Sequence, residues 1–176
     1  TFFETFSKGI EKFGGWSLVT RSAMLLWQTI KDVYSSVKDL DAAMTELKKV
    51  TDLTDASYRE FIGTASTLSQ AIGATLTDTV NATADFARLG YTVDEATKLA
   101  EAALVYKNVG DGIDDISEST ESLISTIKAF GISAGESMGI VDKYNEVGNR
   151  FAISSEGIGT ALQKSASAMA AANNSL

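Results

Sequence analysis

The 176-residue sequence contains no histidine, no cysteine and no proline. Without cysteine and histidine, the chain cannot form a disulfide framework, a Cys/His zinc site, a cysteine nucleophile or a Ser-His-Asp triad. It also lacks the glycine-rich loop and trailing lysine that bind nucleotide phosphates. We therefore expect a protein that is not an enzyme and that uses no cofactor.

Positive charge is scarce, and the negative charge is unevenly distributed. The net charge is −8 with an isoelectric point near 4.5, which argues against direct binding of nucleic acid. Residues 1–50 carry seven basic and six acidic side chains, whereas residues 51–176 carry eight and seventeen. This break predicts two parts, a long amphipathic helix over 1–50 and an acidic helical domain over 51–176. Because the sequence begins at Thr1 and not at a methionine, we expect both to be parts of a longer chain.

Long hydrophobic runs are also missing. The most apolar stretch, residues 14–30, is interrupted by Arg21 and Gln28 and is shorter than the ~20 apolar residues of a membrane span. It therefore predicts no transmembrane helix. A helix that lies at a membrane surface remains an alternative for this stretch.

Apolar residues recur in the first part at alternating intervals of three and four. This a/d pattern extends over more than four heptads, which is typical of a coiled coil. No glycine or proline interrupts it between Gly15 and Gly63. We call these ten positions the seam: Trp16, Val19, Ala23, Leu26, Ile30, Val33, Val37, Leu40, Met44 and Leu47.

The positions beside the seam leave its partner open. The Glu/Lys pairs that usually select a coiled-coil partner at e and g are missing, and Trp27 and Tyr34 widen the apolar face instead. Two interpretations fit this pattern. The seam mediates self-association or binds another partner, or it belongs to one long helix that packs along its own domain.

The second part is patterned as short amphipathic helices with polar corners, and nothing in it is typical of a β-strand. Together with the seam, this predicts an all-α fold. In the last helix, Ile158, Ala161, Leu162, Ser165, Ala168, Met169 and Ala172 form the expected apolar face. The predicted helices are 55–72, 77–89, 93–108, 116–130, 136–148 and 155–172.

One corner occurs twice, 41 residues apart. Each copy has a glycine suited to end a helix, then an apolar residue, then a hydroxyl residue and a glutamate placed to form a capping box. The repeat predicts a duplicated helical hairpin. Tyr106 and Tyr144, 38 residues apart, belong to the same imperfect repeat. The corner residues are Gly90, Thr92 and Glu95 in the first copy, and Gly131, Ser133 and Glu136 in the second.

The acidic segment 111–115 is the only sequence that could suggest an ion site. Its acids and glycine do not have the spacing of an EF-hand loop. Asp115 and Glu118 fit a capping box better than a metal site. We therefore predict no metal site.

From about Leu40 to Leu176, the sequence resembles the minor-tail-protein domain of phage tail tape-measure proteins. Each matching piece is short, and the resemblance lies in their order and spacing. The acidic segment 111–115 departs from the family pattern. The matching pieces are Val50–Thr54, Leu68–Gly73, Thr75–Thr79, Phe86–Ala96, Ala129–Gly131 and Glu156–Leu162.

The resemblance implies a structural function in a phage, a prophage or a phage-derived particle. Such proteins lie in the lumen of the tail tube, set its length, template its assembly and leave it before genome ejection. It also implies the host cytoplasm as the site of assembly, and as partners the tail-tube protein, tail assembly chaperones and tail-tip proteins. The alternatives are a helical interaction adaptor and a membrane-perturbing helix that acts at the cell envelope.

Overall fold

A computed structural model describes the backbone of residues 16–172 and of Leu176, and the side chains from Met24 onward. Within these residues the chain forms seven α-helices, a short 3-10 turn at Ala134–Glu136, and no strand, which confirms the all-α prediction. Each of the six short helices predicted between residues 55 and 172 is present, with ends within three residues of the predicted ones. The first fifteen residues of the long helix predicted over 1–50 lie outside the described residues. The helices are α1 (Trp16–Val50), α2 (Asp55–Ile72), α3 (Leu76–Ala87), α4 (Val93–Val109), α5 (Ile116–Phe130), α6 (Ser137–Phe151) and α7 (Ser155–Ala171).

The chain divides into two units, with the boundary between Asp39 and Leu40. The boundary lies inside α1 and not at its end. Ala43, Met44 and Leu47 are buried and belong to the hydrophobic core of the second unit. The last turns of α1 are therefore part of the helical domain.

Short polar caps explain where the helices of the second unit begin. Thr54 accepts a hydrogen bond from the backbone N–H of Ser57, and Thr75 caps α3 in the same way. Such hydroxyl caps satisfy backbone donors that have no partner inside the helix. Gly73 and Gly131 end α2 and α5 in the left-handed conformation, which glycine adopts without strain.

Helix α4 is the centre of the second unit and packs against α2, α3, α5 and α6. Its buried residues lie on most of its circumference, because it has neighbours on several sides. Four of them are alanines, whose small side chains let the neighbouring helices come close. The buried residues of α4 are Ala96, Leu99, Ala100, Ala102, Ala103, Leu104 and Tyr106.

The two copies of the repeated corner are packed differently. α3 and α4 lie against each other along the first hairpin, whereas α5 makes little contact with α6 and packs mainly on α7. The repeated tyrosines nevertheless meet in the core. The rings of Tyr106 and Tyr144 are 5.2 Å apart in an edge-to-face arrangement, which is a favourable geometry for aromatic pairs.

The predicted apolar face of α7 is partly wrong. Ile158 is buried as predicted, but Ala161, Ala168 and Ala172 are exposed, and Gly159 and Ala166 are buried although they lie off the predicted face. The face of α7 that packs on α5 is rotated relative to the predicted one because Gly159 lies against α5. A Cβ at this position would be 2.8 Å from the Ser122 hydroxyl oxygen. The alternating alanines of α7 did not reveal this rotation, since alanine is tolerated on the buried face and on the exposed face of a helix alike.

Candidate interaction surface

The middle of the seam forms an exposed apolar face on α1. Leu26, Ile30, Val33 and Val37 are 59–66% exposed, although large aliphatic side chains are usually buried. The first three seam positions, Trp16, Val19 and Ala23, lie outside the residues whose side chains the structure describes.

Two aromatic side chains widen this face. Trp27 and Tyr34 are 63% and 73% exposed, one turn after Ala23 and Ile30 respectively. We refer to Leu26, Trp27, Ile30, Val33, Tyr34 and Val37 together as the α1 face. Large apolar side chains that are exposed together on one helix face are typical of an interaction surface.

The last three seam residues have a different environment. Leu40 is half-buried, while Met44 and Leu47 are 8% and 0% exposed within the core of the second unit. These positions already have apolar neighbours in their own chain. A partner of α1 could therefore use the seam only as far as Val37.

The polar residues beside the α1 face are satisfied within their own helix. The Thr29 and Ser36 hydroxyls donate to the carbonyl oxygens of Leu25 and Asp32 at 2.9 and 2.8 Å. These short side chains therefore need no polar partner from a neighbouring chain. Among the described residues, no helix is both long and apolar enough to cross a membrane.

Some exposed apolar side chains were missed by the heptad pattern. Met24 and Leu25 are 67% and 68% exposed but lie off the seam. Phe151 is 74% exposed at the end of α6, next to Ala152, whose φ of 50° is unusual for a residue with a side chain. An apolar residue with no periodic neighbours gives no signal of exposure in the sequence.

The first repeated corner forms a reciprocal cap at the start of α4. Thr92 accepts from the backbone N–H of Glu95, and the Glu95 carboxylate accepts from the Thr92 backbone and hydroxyl at 3.0 and 2.8 Å. These hydrogen bonds lower the pKa of Glu95 below its usual value. Gly90, with a φ of 92°, closes the turn that precedes this cap.

The second corner has the same chemistry. The Glu136 carboxylate accepts from the Ser133 hydroxyl at 2.6 Å and from its backbone N–H at 3.3 Å. The same bonds lower the pKa of Glu136. Gly131 precedes this cap in the left-handed conformation. Both corners therefore fix the chain between successive helices.

The acidic segment 111–115 also caps the start of a helix, α5, though with a different hydrogen bond from the predicted one. Asp115 accepts from the backbone N–H of Ser117 at 2.7 Å, and this bond lowers its pKa. Among the described residues, Glu118 forms no reciprocal bond to the Asp115 backbone, so the predicted capping box is not formed. Within the described residues, no group of three or more acidic side chains could hold a metal ion.

Comparison with known families identifies the second unit. A family model described as phage-related minor tail protein matches residues 62–176, more than half of the chain. The chain belongs to this family. No solved structure matches this minor tail protein.

Family membership assigns this minor tail protein a structural role in a phage tail, together with other tail components. The match begins inside α2 and covers both repeated corners and the helices that surround α4. The α1 face lies outside it. The family assignment therefore depends on the helical unit, and the function of the α1 face must be argued from its own residues.

Proposed function

We propose that this minor tail protein is a segment of a tail tape-measure protein, located in the lumen of the tail tube. In this role it sets tail length, templates tube assembly and leaves the tube before genome ejection. The observation that carries the proposal is the regular apolar face on α1, joined to a unit of a phage tail family. A helix of 35 residues is about 52 Å long, at ~1.5 Å per residue, which suits an elongated protein in a tube.

The composition supports a role without catalysis. The chain has no histidine or cysteine. The carboxylates of Glu95 and Glu136 accept hydrogen bonds at the starts of helices. Its net charge of −8 disfavours direct contact with DNA that passes through the same tube. The tail-tube protein, assembly chaperones and tail-tip proteins are the partners in this proposal, and assembly takes place in the host cytoplasm.

The proposed occupant of the α1 face is a second copy of α1. A strict 3.5-residue period keeps an apolar stripe facing a partner helix of the same kind. The small residues Thr29 and Ser36 occupy the g positions, opposite the e positions of Trp27 and Tyr34. In a parallel pair, e positions face g positions of the partner, so that each aromatic ring packs over a small side chain.

The charges beside the face favour the same orientation. Lys31 and Lys38 lie one turn after Trp27 and Tyr34, on the side of the α1 face that carries the aromatic residues. Asp32 and Asp39 lie one turn after Thr29 and Ser36, on the opposite side of the face. A parallel pair brings opposite charges to the same side, whereas an antiparallel pair brings like charges together. We therefore assign a parallel arrangement in register.

Light scattering during size-exclusion chromatography tests the self-association. The wild-type mass should be a multiple of 18.7 kDa, and Val37→Asp should reduce it to one copy. Ser35→Asp introduces the same charge outside the seam and should leave the mass unchanged. A monomeric wild type would contradict self-association and favour an adaptor that binds another protein.

The absence of cysteine allows a direct test of orientation. In a parallel pair, Ile30→Cys places two thiols opposite each other, so mild oxidation should give a cross-linked dimer. Gln28→Cys, on the outer side of the helix, should cross-link far less. Equal cross-linking of the two variants would refute the parallel register. Binding of the wild-type chain to liposomes, lost in Val37→Asp, would instead support the membrane alternative.

Tail length tests the tape-measure function in a phage that carries this gene. Three additional copies of residues 24–37 add 42 residues, or about 63 Å if they are helical. Electron microscopy should show tails longer by about this amount. A scrambled insertion of equal length and composition shows whether the order of the added residues matters in addition to their number. Tails of unchanged length would refute the tape-measure proposal.

A further inference from the structure

The turn between α4 and α5 contains the only Asp-Gly pair of the sequence, Asp111-Gly112. The side-chain carboxyl carbon of an aspartate can be attacked by the backbone nitrogen of the next residue, and the product is a five-membered imide ring. The attack requires an accessible carboxyl group and a backbone N–H that no helix engages. It is fastest when the next residue has no Cβ to obstruct the approach.

The carboxyl group of Asp111 is accessible. Asp111 is exposed, and within the described residues its carboxylate takes part in no ion pair. The two other acids of this segment differ from it. Asp114 and Asp115 are each followed by a residue with a side chain, and the Asp115 carboxylate already accepts from the Ser117 N–H. Asp111 is therefore the acid of this segment that is placed to react.

The backbone nitrogen of Gly112 can approach this carboxyl group. Gly112 has a φ of 80°, which residues with a side chain rarely adopt. It lies after the end of α4 and before the start of α5, so neither helix engages its N–H. In the part of the chain that the structure describes, the Gly112 N–H donates to no backbone carbonyl. The reacting nitrogen is therefore not held back by a backbone hydrogen bond.

The first turn of α7 activates the same peptide group. The Glu156 backbone N–H donates to the Asp111 carbonyl oxygen, with nitrogen and oxygen 3.2 Å apart. A hydrogen bond to a carbonyl oxygen polarises the peptide group and draws electrons from its nitrogen. Loss of the Gly112 amide proton becomes easier as a result. The contact with α7 thus favours the attack.

We propose that Asp111 isomerises spontaneously to isoaspartate in the folded protein. The Gly112 nitrogen forms a bond to Cγ of Asp111, and the Cγ hydroxyl leaves with the amide proton as water. A second water molecule then adds to the imide at the former main-chain carbonyl carbon, and the bond from that carbon to the Gly112 nitrogen breaks. The chain now continues through Cγ, with one more methylene in the main chain and a free α-carboxylate at residue 111.

The product changes the contact between this turn and α7. The carbonyl oxygen that accepted from the Glu156 N–H becomes part of a carboxylate on a branch of the chain. The added methylene has little room at Gly110, where a Cβ would lie 2.6 Å from the Tyr106 carbonyl oxygen and 2.8 Å from Cδ1 of Ile113. The turn therefore moves relative to α7. This proposal concerns the helical unit and does not depend on the tape-measure function.

Incubation of the whole chain in heavy-oxygen water at neutral pH tests the reaction, because hydrolysis of the imide adds one oxygen atom from the solvent. The chain is then digested by trypsin in ordinary water, and fragmentation of the peptide 108–128 locates the label and identifies isoaspartate by cleavage of its Cα–Cβ bond. Label should accumulate at Asp111 and not at Asp114 or Asp115. Absence of label, or equal label at the three positions, would overturn the proposal.

Two variants of Asp111 test whether the imide is the intermediate. Asp111→Glu keeps the charge but has to close a larger ring, so labelling should fall severalfold. Asp111→Asn reaches the same imide with loss of ammonia, and it should react faster because an amide is attacked more readily than a carboxylate. Labelling of Asp111→Glu at the wild-type rate would refute the imide.

A parallel incubation of the chain unfolded in urea tests the contribution of the fold. We expect label at Asp111 in the folded chain as well as in the unfolded one. Reaction of the unfolded chain alone would show that the fold protects Asp111 and would overturn the proposal.

Hydrogen exchange at the Glu156 amide measures the structural consequence. Exchange should be about fivefold faster in the isomerised chain than in the fresh one, as expected for the loss of one hydrogen bond. Equal exchange in the two samples would refute the movement of the turn.

Discussion

Gly159 and Gly63 both lie inside helices of the second unit, yet replacement by alanine should change the stability of the chain in different ways. Alanine is favoured over glycine inside a helix by about 0.5–1 kcal/mol. This gain is common to both positions. The difference between the two variants therefore reports what the added methyl group meets.

At Gly63 a Cβ would meet nothing within 4 Å, so Gly63→Ala should stabilise the chain by about 0.5–1 kcal/mol. At Gly159 a Cβ would lie 2.8 Å from the Ser122 hydroxyl oxygen and 3.2 Å from both the Ser122 Cβ and the Tyr106 hydroxyl oxygen. Overpacking of a core typically costs about 1–3 kcal/mol. Gly159→Ala should therefore be less stable than Gly63→Ala by about 1–3 kcal/mol.

Urea unfolding followed by circular dichroism measures this difference, provided that the slope with urea is equal in both variants. Ser122→Ala removes the closest contact and should restore part of the loss when combined with Gly159→Ala. The reasoning would be refuted if the two single variants had equal free energies of unfolding. It would also be refuted if Ser122→Ala gave no recovery.

Four further substitutions test other parts of the chain by the same unfolding measurement. Leu47→Ala should cost about 2–5 kcal/mol because this side chain is fully buried, whereas Val37→Ala, on the α1 face, should change the stability of a monomeric sample by less than ~0.5 kcal/mol. Equal losses would contradict the division of the seam. Because capping bonds lower the pKa of Glu95, its stabilisation is complete above the unfolded value near 4.5 and is lost as the pH falls through the folded value. Glu95→Gln should therefore flatten the loss of stability below pH 5, and an unchanged pH profile would contradict the cap. Tyr106→Phe removes the bond to the Ser155 carbonyl but keeps the ring, so a loss of about 1 kcal/mol is expected, and no loss would rule out that bond.

Local chemistry made the helices predictable from the sequence. The reciprocal cap between Thr92 and Glu95 forms within four residues, so its geometry depends little on the rest of the chain. Gly131 ends a helix for a similarly local reason. Asp115 marked a helix start correctly, although its bond to the Ser117 N–H replaced the expected reciprocal cap with Glu118. Hydroxyl or acidic N-caps and glycine turns thus place most boundaries.

Contacts between distant residues could not be predicted in this way. The sequence repeat contained Tyr106 and Tyr144, but only the fold shows that their rings pack against each other. The close approach of α5 and α7 at Gly159 likewise joins residues that are far apart in the sequence. The presence of Ser122 in the sequence does not indicate that approach.

The sequence by itself determined that this chain is helical, where its helices lie, and that it lacks the residues of common catalytic sites. The tertiary structure alone decided what each apolar stripe packs against. The seam has one period from Trp16 to Leu47, yet Met44 and Leu47 are buried in the domain while Leu26 to Val37 remain exposed. The reason is physical: a hydrophobic period specifies that a face can be buried, and burial is equally favourable against the same chain or another.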